Sequence, residues 1–338
     1  MKRKVAINGL GRIGKMVLWH YIVNPPKHIE ICVANGGSGT AEDLAYMLKF
    51  DSVHGRFPAP VEYGDDYLKV GDQTIKLITG RDPAQLPWKE LGVDIVLECT
   101  GKFTKRADAA KHLEAGAKKV IISAPSKDAE LTVVMGVNQD WYDPEQHHVI
   151  SNASCTTNCL APAIKVLNDA FGIESALVTT VHAYTSSQVT VDAKKPGKHR
   201  RGRAAAVNII PTSTGAAIAT TKVIPELEGK MNALALRVPV PDVAITDINA
   251  TLKKDVTAEE VNAAFEAAMK GELAGILEIT YDEVVSTDII NNPHSSIVDG
   301  LSTMVVDGNK VKVFSWYDNE YGYSGRLMEM ADFVAARM

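Results

Sequence analysis

The feature that most constrains the fold is a glycine-rich hexapeptide, Gly9-Leu10-Gly11-Arg12-Ile13-Gly14, which directly follows a short apolar strand at residues 5–8. A helical pattern at 13–23 begins within it, and a second apolar strand follows at 29–34. Glycines let the backbone turn tightly and approach a pyrophosphate, whose charge the helix N-terminus stabilises. This strand–turn–helix–strand order predicts a dinucleotide-binding unit; a tight turn without a ligand is the alternative.

Short apolar strands alternate with helical patterns as far as residue 150, which indicates a parallel sheet with helices on both faces. Later candidate strands are longer, and many alternate polar and apolar residues, as in an antiparallel sheet. We therefore predict an α/β chain with an N-terminal Rossmann dinucleotide-binding domain (1–153) and an α+β catalytic domain built on a mostly antiparallel sheet (154–318). Residues 319–338 are expected to form a C-terminal helix that packs back on the Rossmann domain.

The composition narrows the classes of function. The net charge of −5 over 338 residues gives no support for a nucleic-acid partner. The sequence contains no run of 18 apolar residues, so no membrane span is expected. The four cysteines, Cys32, Cys99, Cys155 and Cys159, lack the spacing of a zinc site and are typical of reduced thiols in a cytoplasmic protein, so no metal is expected.

The end of the second strand bears on the choice of cofactor. A carboxylate there would accept hydrogen bonds from the adenosine ribose, but the turn reads Asn35-Gly36-Gly37-Ser38-Gly39-Thr40, and Glu42 and Asp43 lie beyond it. Glycine N–H groups and the Ser38 or Thr40 hydroxyl are able to receive a 2′-phosphate instead. We expect NADP, or use of both cofactors, over strict NAD; a turn that binds the NAD ribose weakly is the alternative.

A candidate nucleophile follows the last strand of the first half. In Ser151-Asn152-Ala153-Ser154-Cys155-Thr156-Thr157-Asn158-Cys159, Ser154 is a plausible N-cap, which places Cys155 in the first turn of a helix. The helix dipole there lowers a thiol pKa, and a thiolate attacks aldehydes and forms thioesters. The alternative is a merely buried cysteine, which we expect for Cys159.

A candidate base ends the strand predicted at 176–183. His182 lies in Thr179-Thr180-Val181-His182-Ala183-Tyr184-Thr185, and a histidine near a thiol acts as base and then as acid. Spacing alone leaves a structural histidine as the more frequent outcome.

Several motifs, taken together, resemble the glyceraldehyde-3-phosphate dehydrogenase family over essentially the whole chain. They are Ile7 to Gly14, Ser154 to Asn158, His182 to Thr185, Arg203 to Ala206, Pro211 to Ala217, Arg237 to Pro239 and Trp316 to Ser324. The resemblance implies that Cys155 forms a thiohemiacetal with glyceraldehyde 3-phosphate while His182 takes the proton. Hydride transfer to the nicotinamide then leaves a thioester, which inorganic phosphate attacks.

The resemblance also implies binding residues. Thr185 and Arg237 match the site for the substrate phosphate. The site for the attacking phosphate corresponds to Ser154, Thr156, Arg201, Thr214 and Gly215. The expected cofactor-binding residues are Gly9, Gly11, Arg12, Ile13, Gly14, Asn35, Gly36, Ser38, Arg81, Thr100, Gly101, Ser123, Lys194, Asn319 and Tyr323, with Asn319 orienting the nicotinamide amide. Residues 186–203, the S-loop, are expected near a neighbouring subunit's cofactor in a homotetramer.

The chain departs from the family pattern at three places. Ser187 stands where the family usually has Asp, which removes an acceptor beside Thr185. Gly36 stands where NAD-preferring members have Asp, and Ala193-Lys194 replaces their Leu-Pro. Lys194, with Arg81, is therefore a candidate contact for a 2′-phosphate.

Two other functions fit parts of the pattern. An erythrose-4-phosphate dehydrogenase of the same family uses water as the final nucleophile and typically lacks the threonine equivalent to Thr185, so retention of Thr185, Thr214 and Arg201 favours the phosphorylating enzyme. A catalytically silent binding or regulatory protein predicts a damaged constellation, whereas Cys155 and His182 are both present.

Overall fold

The computed structural model describes residues 2–338, which form two compact units. Unit 1 runs to Met135 and also contains Gln139–Ser154 and Ser324–Met338. Unit 2 contains Gly136–Asn138 and Cys155–Tyr323. The last helix, α8 (Tyr321–Ala335), therefore has residues in both units.

Unit 1 is built from short strands and helices in alternation. Its strands are β1 (Arg3–Asn8), β2 (Ile29–Asn35), β3 (Phe50–Asp51), β4 (Gly55–Arg56), β5 (Val61–Tyr63), β6 (Tyr67–Val70), β7 (Gln73–Ile78), β8 (Ile95–Glu98), β9 (Lys119–Ile122), β10 (Leu131–Thr132) and β11 (Val149–Ser151). Its helices are α1 (Arg12–Val23), α2 (Ala41–Lys49), α3 (Trp88–Leu91) and α4 (Arg106–Glu114).

The large sheet of unit 1 has the order β10-β11-β9-β8-β1-β2-β7-β6-β5. Pairing is parallel from β10 to β7 and antiparallel at the β7, β6 and β5 edge. β1 lies inside the sheet, with β2 next to it on one side and β8, which comes later in the chain, on the other. Ligands of such sheets bind outside the carboxyl ends of the strands where the order reverses, here at β1.

Unit 2 combines long strands with helices. Its strands are β12 (Ile173–Ala183), β13 (Ile210–Ser213), β14 (Met231–Val238), β15 (Ala244–Leu252), β16 (Leu277–Thr280), β17 (Ser296–Asp299), β18 (Met304–Val306) and β19 (Lys310–Tyr317). Its helices, besides the start of α8, are α5 (Cys155–Phe171), α6 (Ala216–Val223) and α7 (Ala258–Lys270).

The sheet of unit 2 has the order β13-β14-β12-β15-β19-β17-β16, with β18 paired to β19. Only the β12/β14 and β16/β17 pairs are parallel among the pairs of the described sheet. Alternate residues of β12, such as Val178 and Thr180, are buried, whereas Leu177 is 69% exposed. The predicted fold class, a Rossmann domain with a mostly antiparallel α+β domain, is confirmed. Within residues 2–338, no helix has the length and hydropathy needed to cross a bilayer.

Candidate active site

Cys155 and His182 lie side by side in unit 2. Cys155 is the first residue of α5, and His182 is the second-last residue of β12, a central strand between β14 and β15. The Sγ of Cys155 is 3.6 Å from Nε2 of His182, within hydrogen-bonding reach of sulfur, and the imidazole is only 4% exposed. The two side chains predicted as nucleophile and base are therefore adjacent, although 27 positions separate them along the chain.

Arg237 occupies the other side of the imidazole because of strand register. β14 runs parallel to β12, and Arg237 pairs directly with His182. Its Nη1 lies 2.7 Å from Nδ1 of His182 and donates to the Ala183 carbonyl oxygen at 2.7 Å. Nδ1 is also 2.8 Å from that oxygen. Nδ1 therefore either accepts from the Arg237 guanidinium or carries a proton and donates to the Ala183 oxygen, and the second tautomer is the one that leaves Nε2 free to accept the thiol proton.

Tyr317 is a residue of this site that the sequence reasoning did not single out. Its hydroxyl lies 2.8 Å from the hydroxyl oxygens of both Thr156 and Thr180, and thereby links the start of α5 to β12. Its ring meets the imidazole of His182 edge to face, with centroids 5.9 Å apart. Tyr317 belongs to the family motif from Trp316 to Ser324, but nothing local in the sequence indicates these contacts.

The pKa of the Cys155 thiol does not follow the expectation for a helix N-terminus, where the dipole lowers a thiol pKa. Burial raises the pKa of the Cys155 thiol, although Arg237 and the Thr156 hydroxyl and N–H oppose this. Burial, followed by the charge of Arg237, lowers the pKa of His182 to about 3. Each charged form alone is therefore disfavoured, and the helix dipole does not decide the direction for the thiol.

Transfer of a proton from Sγ to Nε2 changes this balance. It creates opposite charges 3.6 Å apart at the same moment, and their mutual attraction offsets part of the cost of burying each one. Arg237 and Thr156 stabilise the thiolate partner of this ion pair. The geometry thus supports an internal proton transfer rather than two independently titrating groups.

The residues of unit 2 that are expected to bind phosphate groups lie on several different elements. The Oγ1 of Thr185 is 2.8 Å from the Oγ of Ser187, just after β12. Arg201 donates from Nε to the Thr212 hydroxyl at 2.9 Å, and its charge also contributes to the lowered pKa of His182. Thr214 accepts a hydrogen bond from the N–H of Ala216, and Gly215 is the N-cap of α6.

Two polar atoms of the site have no protein partner within residues 2–338. They are Nε of Arg237 and Oδ1 of Asn319, and both are buried. Buried polar atoms are normally paired, so an unpaired one is a candidate for contact with a ligand group or an ordered water. Arg237 and Asn319 are both residues for which the sequence analysis expects ligand contacts.

The glycine-rich turn of unit 1 has the geometry that its sequence predicts. Gly9 has φ +104°, a conformation that favours glycine. A side chain at Gly14 would lie 2.1 Å from the Gly9 carbonyl oxygen, so this glycine permits close packing of α1 against the turn. Nothing lies within 4 Å of a Cβ placed on Gly11, which leaves the start of α1 open to a ligand.

A buried polar cluster supports this turn. We call Asn8, Asn35, Glu98, Thr100 and His112 the strand-end network, because it joins residues at or just beyond the ends of β1, β2 and β8 to α4. Asn8 donates to Glu98 and accepts from the Asn35 amide at 2.7 Å. Glu98 also accepts from the N–H and hydroxyl of Thr100 and from Nε2 of His112 at 3.0 Å.

His112 and Asn35 connect the strand-end network to neighbouring segments by further hydrogen bonds. The indole N–H of Trp88 donates to Nδ1 of His112 at 2.9 Å, which leaves the imidazole proton on Nε2, facing Glu98. The carboxamide oxygen of Asn35 accepts from the N–H groups of Gly37 and Gly80, each at 3.2 Å. The network therefore holds the turn after β2 and the loop before Arg81.

The turn after β2 offers no carboxylate at its tip. Asp43 is committed to a capping box, where it accepts from the N–H and hydroxyl of Thr40 at 2.8 and 2.9 Å. A Cβ on Gly36 would lie 2.6 Å from a methyl group of Leu44. Ser38 and Arg81 are exposed, and Arg81 has no ion pair with the described residues.

The comparisons with known proteins agree with this geometry. The model for "Glyceraldehyde 3-phosphate dehydrogenase, NAD binding domain" matches residues 3–106, and that for the "C-terminal domain" matches residues 154–319. The chain is 56% identical over 338 residues to "Glyceraldehyde-3-phosphate dehydrogenase" of Geobacillus stearothermophilus, covering 100% of this chain and 99% of the relative. It is 53% identical to "Glyceraldehyde-3-phosphate dehydrogenase 2" of Bacillus subtilis, covering 100% and 98%. The chain belongs to the glyceraldehyde-3-phosphate dehydrogenase family.

Membership of the glyceraldehyde-3-phosphate dehydrogenase family makes a nicotinamide dinucleotide the cofactor class. The open start of α1 and the close packing at Gly14 fit a pyrophosphate. Thr100 and Gly101 follow β8, and Ser123 follows β9 at the same edge of the sheet. Gly101 has φ +69°, and no atom of residues 2–338 lies within 4 Å of a Cβ placed on it. The guanidinium of Arg12 pairs with Asp51. The individual cofactor contacts, including those of Ile13, Lys194 and Tyr323, stay predictions.

Proposed function

We propose that this chain catalyses the reversible phosphorylating oxidation of D-glyceraldehyde 3-phosphate to 1,3-bisphosphoglycerate. The observation that carries the proposal is the 3.6 Å approach of the Cys155 thiol to His182, with Arg237 against the opposite nitrogen of the ring. A nucleophile, a base and a phosphate-binding cation thus come together at the ends of one helix and two strands. The names of the relatives support the same activity.

The first step is addition of sulfur to the aldehyde. Nε2 of His182 accepts the thiol proton, Sγ forms a bond to C1, and the proton returns to the former carbonyl oxygen to give a thiohemiacetal. The helix start at Cys155 provides N–H groups suited to the developing negative oxygen. Thr185 and Arg237 are proposed to hold the substrate phosphate, since the guanidinium keeps a buried N–H unpaired.

The second step oxidises C1. When bound, the nicotinamide dinucleotide supplies a hydride acceptor. Nε2 of His182 takes the hydroxyl proton, so that loss of hydride from C1 leaves a thioester on Sγ. An oxygen of inorganic phosphate then attacks C1, the C–S bond breaks, and the thiolate regains the proton from His182. Ser154, Thr156, Arg201, Thr214 and Gly215 are proposed to bind that phosphate.

The preferred cofactor is proposed to be NADP, or both NADP and NAD. The argument is that residues 36–40 contain no carboxylate. The two acidic residues that follow are engaged elsewhere, because Asp43 accepts hydrogen bonds from Thr40 and Glu42 is hydrogen-bonded to Tyr63. No negative charge at the tip of the turn therefore repels a 2′-phosphate, and Ser38 and Arg81 offer donors.

Steady-state kinetics with both cofactors test this choice. We expect Arg81→Ala to lower kcat/KM for NADP about tenfold, the loss of one charge-assisted contact, and to leave NAD unchanged. Lys27→Ala, an exposed cation that precedes β2, serves as the matched control. Equal effects of Arg81→Ala on the two cofactors would remove Arg81 from the proposal.

The final nucleophile is tested by omitting phosphate. We expect reduction of the cofactor to stop after a single turnover without inorganic phosphate and to resume when it is added. Steady turnover without phosphate would instead indicate release of the acyl group by water, as in an erythrose-4-phosphate dehydrogenase. Turnover by neither route would favour a catalytically silent protein.

We also propose a homotetramer. Leu177 on β12 and Leu234 on β14 lie on one face of the sheet of unit 2 and are 69% and 47% exposed, and Val207 and Ile209 are 76% and 67% exposed. Exposed apolar side chains on a sheet face, as at Leu177 and Leu234, are typical of a subunit interface. Light scattering of the wild type and of Leu177→Lys tests the homotetramer; a wild-type mass other than that of four chains contradicts it. Because Cys155 needs a reduced thiol, we propose a cytoplasmic location.

A further inference from the structure

A lysine of the S-loop lies beside the proposed site for the substrate phosphate. Lys195, Pro196, Gly197 and Lys198 form a turn in which the Lys198 N–H donates to the Lys195 carbonyl at 3.0 Å and Gly197 has φ +71°. Proline at the second position and a left-handed glycine at the third are typical of a type II turn. The N–H of Ala193 donates to the Gly202 carbonyl at 2.8 Å, which fixes the preceding backbone. Lys195 therefore projects from an ordered part of the loop.

The side chain of Lys195 reaches the turn that follows β12. Its ammonium group donates to the carbonyl oxygen of Ser187. In the same turn, the Ser187 hydroxyl is 2.8 Å from the Thr185 hydroxyl, and the Gln188 N–H donates to the Thr185 carbonyl at 2.9 Å. The cation thus contacts the same residue whose hydroxyl is paired with Thr185.

Lys195 forms no ion pair with a carboxylate of residues 2–338. The acidic residue nearest along the chain, Asp192, is engaged by Arg203 and the Ala204 N–H. An ammonium group has three donors, and a single neutral carbonyl uses one of them. A half-buried cation with two donors to spare is suited to an anionic ligand.

The serine at position 187 supports an anion-binding role for Lys195. Serine adds no negative charge beside Thr185, so a dianionic phosphate meets two hydroxyls and a cation there. Of the Thr185 and Ser187 hydroxyls, only one donates to the other, which leaves one hydroxyl proton for a ligand oxygen. The neighbouring Lys194 is exposed and forms no hydrogen bond or ion pair within residues 2–338, whereas Lys195 donates to Ser187. The feature therefore belongs to position 195 and not to loop charge in general.

We propose that Lys195 is a substrate-binding residue that donates to the terminal phosphate of the aldehyde alongside Thr185, which rests on the proposed function. The ammonium supplies a positive charge for the phosphate, and Ser187 adds no negative charge that would oppose it. It acts on binding of the phosphorylated substrate and takes no part in bond making at C1.

Kinetics of Lys195→Met against Lys198→Met test the proposal. The first change keeps the length of the side chain and removes its charge, and the second is the matched control on an exposed lysine of the same turn. We expect Lys195→Met to raise KM for glyceraldehyde 3-phosphate at least tenfold with kcat within twofold, and Lys195→Arg to restore most of the loss. Oxidation of unphosphorylated D-glyceraldehyde should not respond to any of these changes, because it lacks the phosphate.

Each alternative result has a defined meaning. If Lys195→Met behaves like Lys198→Met, or weakens oxidation of D-glyceraldehyde equally, the proposal is overturned and Lys195 only supports the loop. A selective rise in KM for inorganic phosphate or for NADP overturns it as well, because the cation then serves another anion. A wild-type enzyme that fails to oxidise glyceraldehyde 3-phosphate overturns the proposed function, whereas an active wild type with an indifferent Lys195→Met overturns this proposal alone.

Discussion

In unit 1, the strand-end network pairs its buried polar groups with one another, whereas in unit 2 the groups around Cys155 keep atoms without a protein partner. Glu98 alone accepts from Asn8, Thr100 and His112. In contrast, Nε of Arg237 and Oδ1 of Asn319 are buried without a hydrogen-bond partner among residues 2–338. One region is complete by itself, and the other is complete only with ligands.

The difference follows from what each region must do. A cofactor site that presents mainly backbone N–H groups needs those groups held in place, and a satisfied buried network rigidifies the loops that carry them. A reaction site must form new bonds to substrate and phosphate, so its donors have to remain available. Substitution of the reacting groups Cys155 and His182 should therefore change rates more than stability, and substitutions in the network should do the reverse.

The largest expected effect is that of Cys155→Ser. Oxygen is a far poorer nucleophile at neutral pH, so kcat/KM should fall by at least about 10³-fold, while the free energy of unfolding stays within about 1 kcal/mol of wild type. Steady-state assays and urea unfolding measure the two quantities. Cys159→Ser is the control, since this buried thiol hydrogen-bonds Ser315 and should keep activity. Retained acyl-phosphate production in Cys155→Ser would disprove the nucleophile.

His182→Asn should reduce kcat about 10²- to 10⁴-fold, the usual contribution of a general base. It should also slow alkylation of Cys155 by iodoacetamide at pH 7. Without His182, thiolate forms only by titration of a thiol whose pKa burial has raised, so the alkylation rate should rise at higher pH than in wild type. The check is the pH profile of alkylation, with His294→Asn as control; identical profiles would contradict the internal proton transfer.

Glu98→Gln tests the other side of the comparison. An amide cannot accept from Asn8, Thr100 and His112 together, so the free energy of unfolding should fall by about 2–3 kcal/mol. The cofactor KM should rise severalfold, and single-turnover oxidation at saturating cofactor should remain near wild type. Glu114→Gln, on the exposed side of α4, provides the control. A large loss in the chemical step with normal stability would reverse the assignment of the two regions.

Tyr317→Phe should give the smallest effect. The change removes a hydroxyl that contacts Thr156 and Thr180, so we expect about a fivefold decrease in kcat and a loss of about 1–2 kcal/mol in stability. Tyr281→Phe, whose hydroxyl donates to Glu266 at the surface, is the matched control. Kinetics and thermal unfolding of both variants decide the point, and equal behaviour of the two would show that Tyr317 does not position the start of α5.

Much of the fold was predictable because local patterns report it directly. The glycines at 9, 11 and 14 have roles that depend on neighbouring backbone, so strand, turn and helix were readable from ten residues. The alternation of residues in β12 likewise predicted a half-covered strand. Tyr317 was not predictable, because its partners Thr156 and Thr180 are more than 130 positions away.

The sequence by itself determined the two classes of sheet, the glycine turn and the residue types of the reaction, since these depend on short-range sterics, periodicity and side-chain chemistry. Only the tertiary structure decided that Arg237 faces His182, that Asp43 is held within its own helix cap, and that Lys195 rather than Lys194 reaches the turn at Thr185. The physical reason is strand register and loop packing, because they bring together residues whose separation along the chain carries no information about their distance in space.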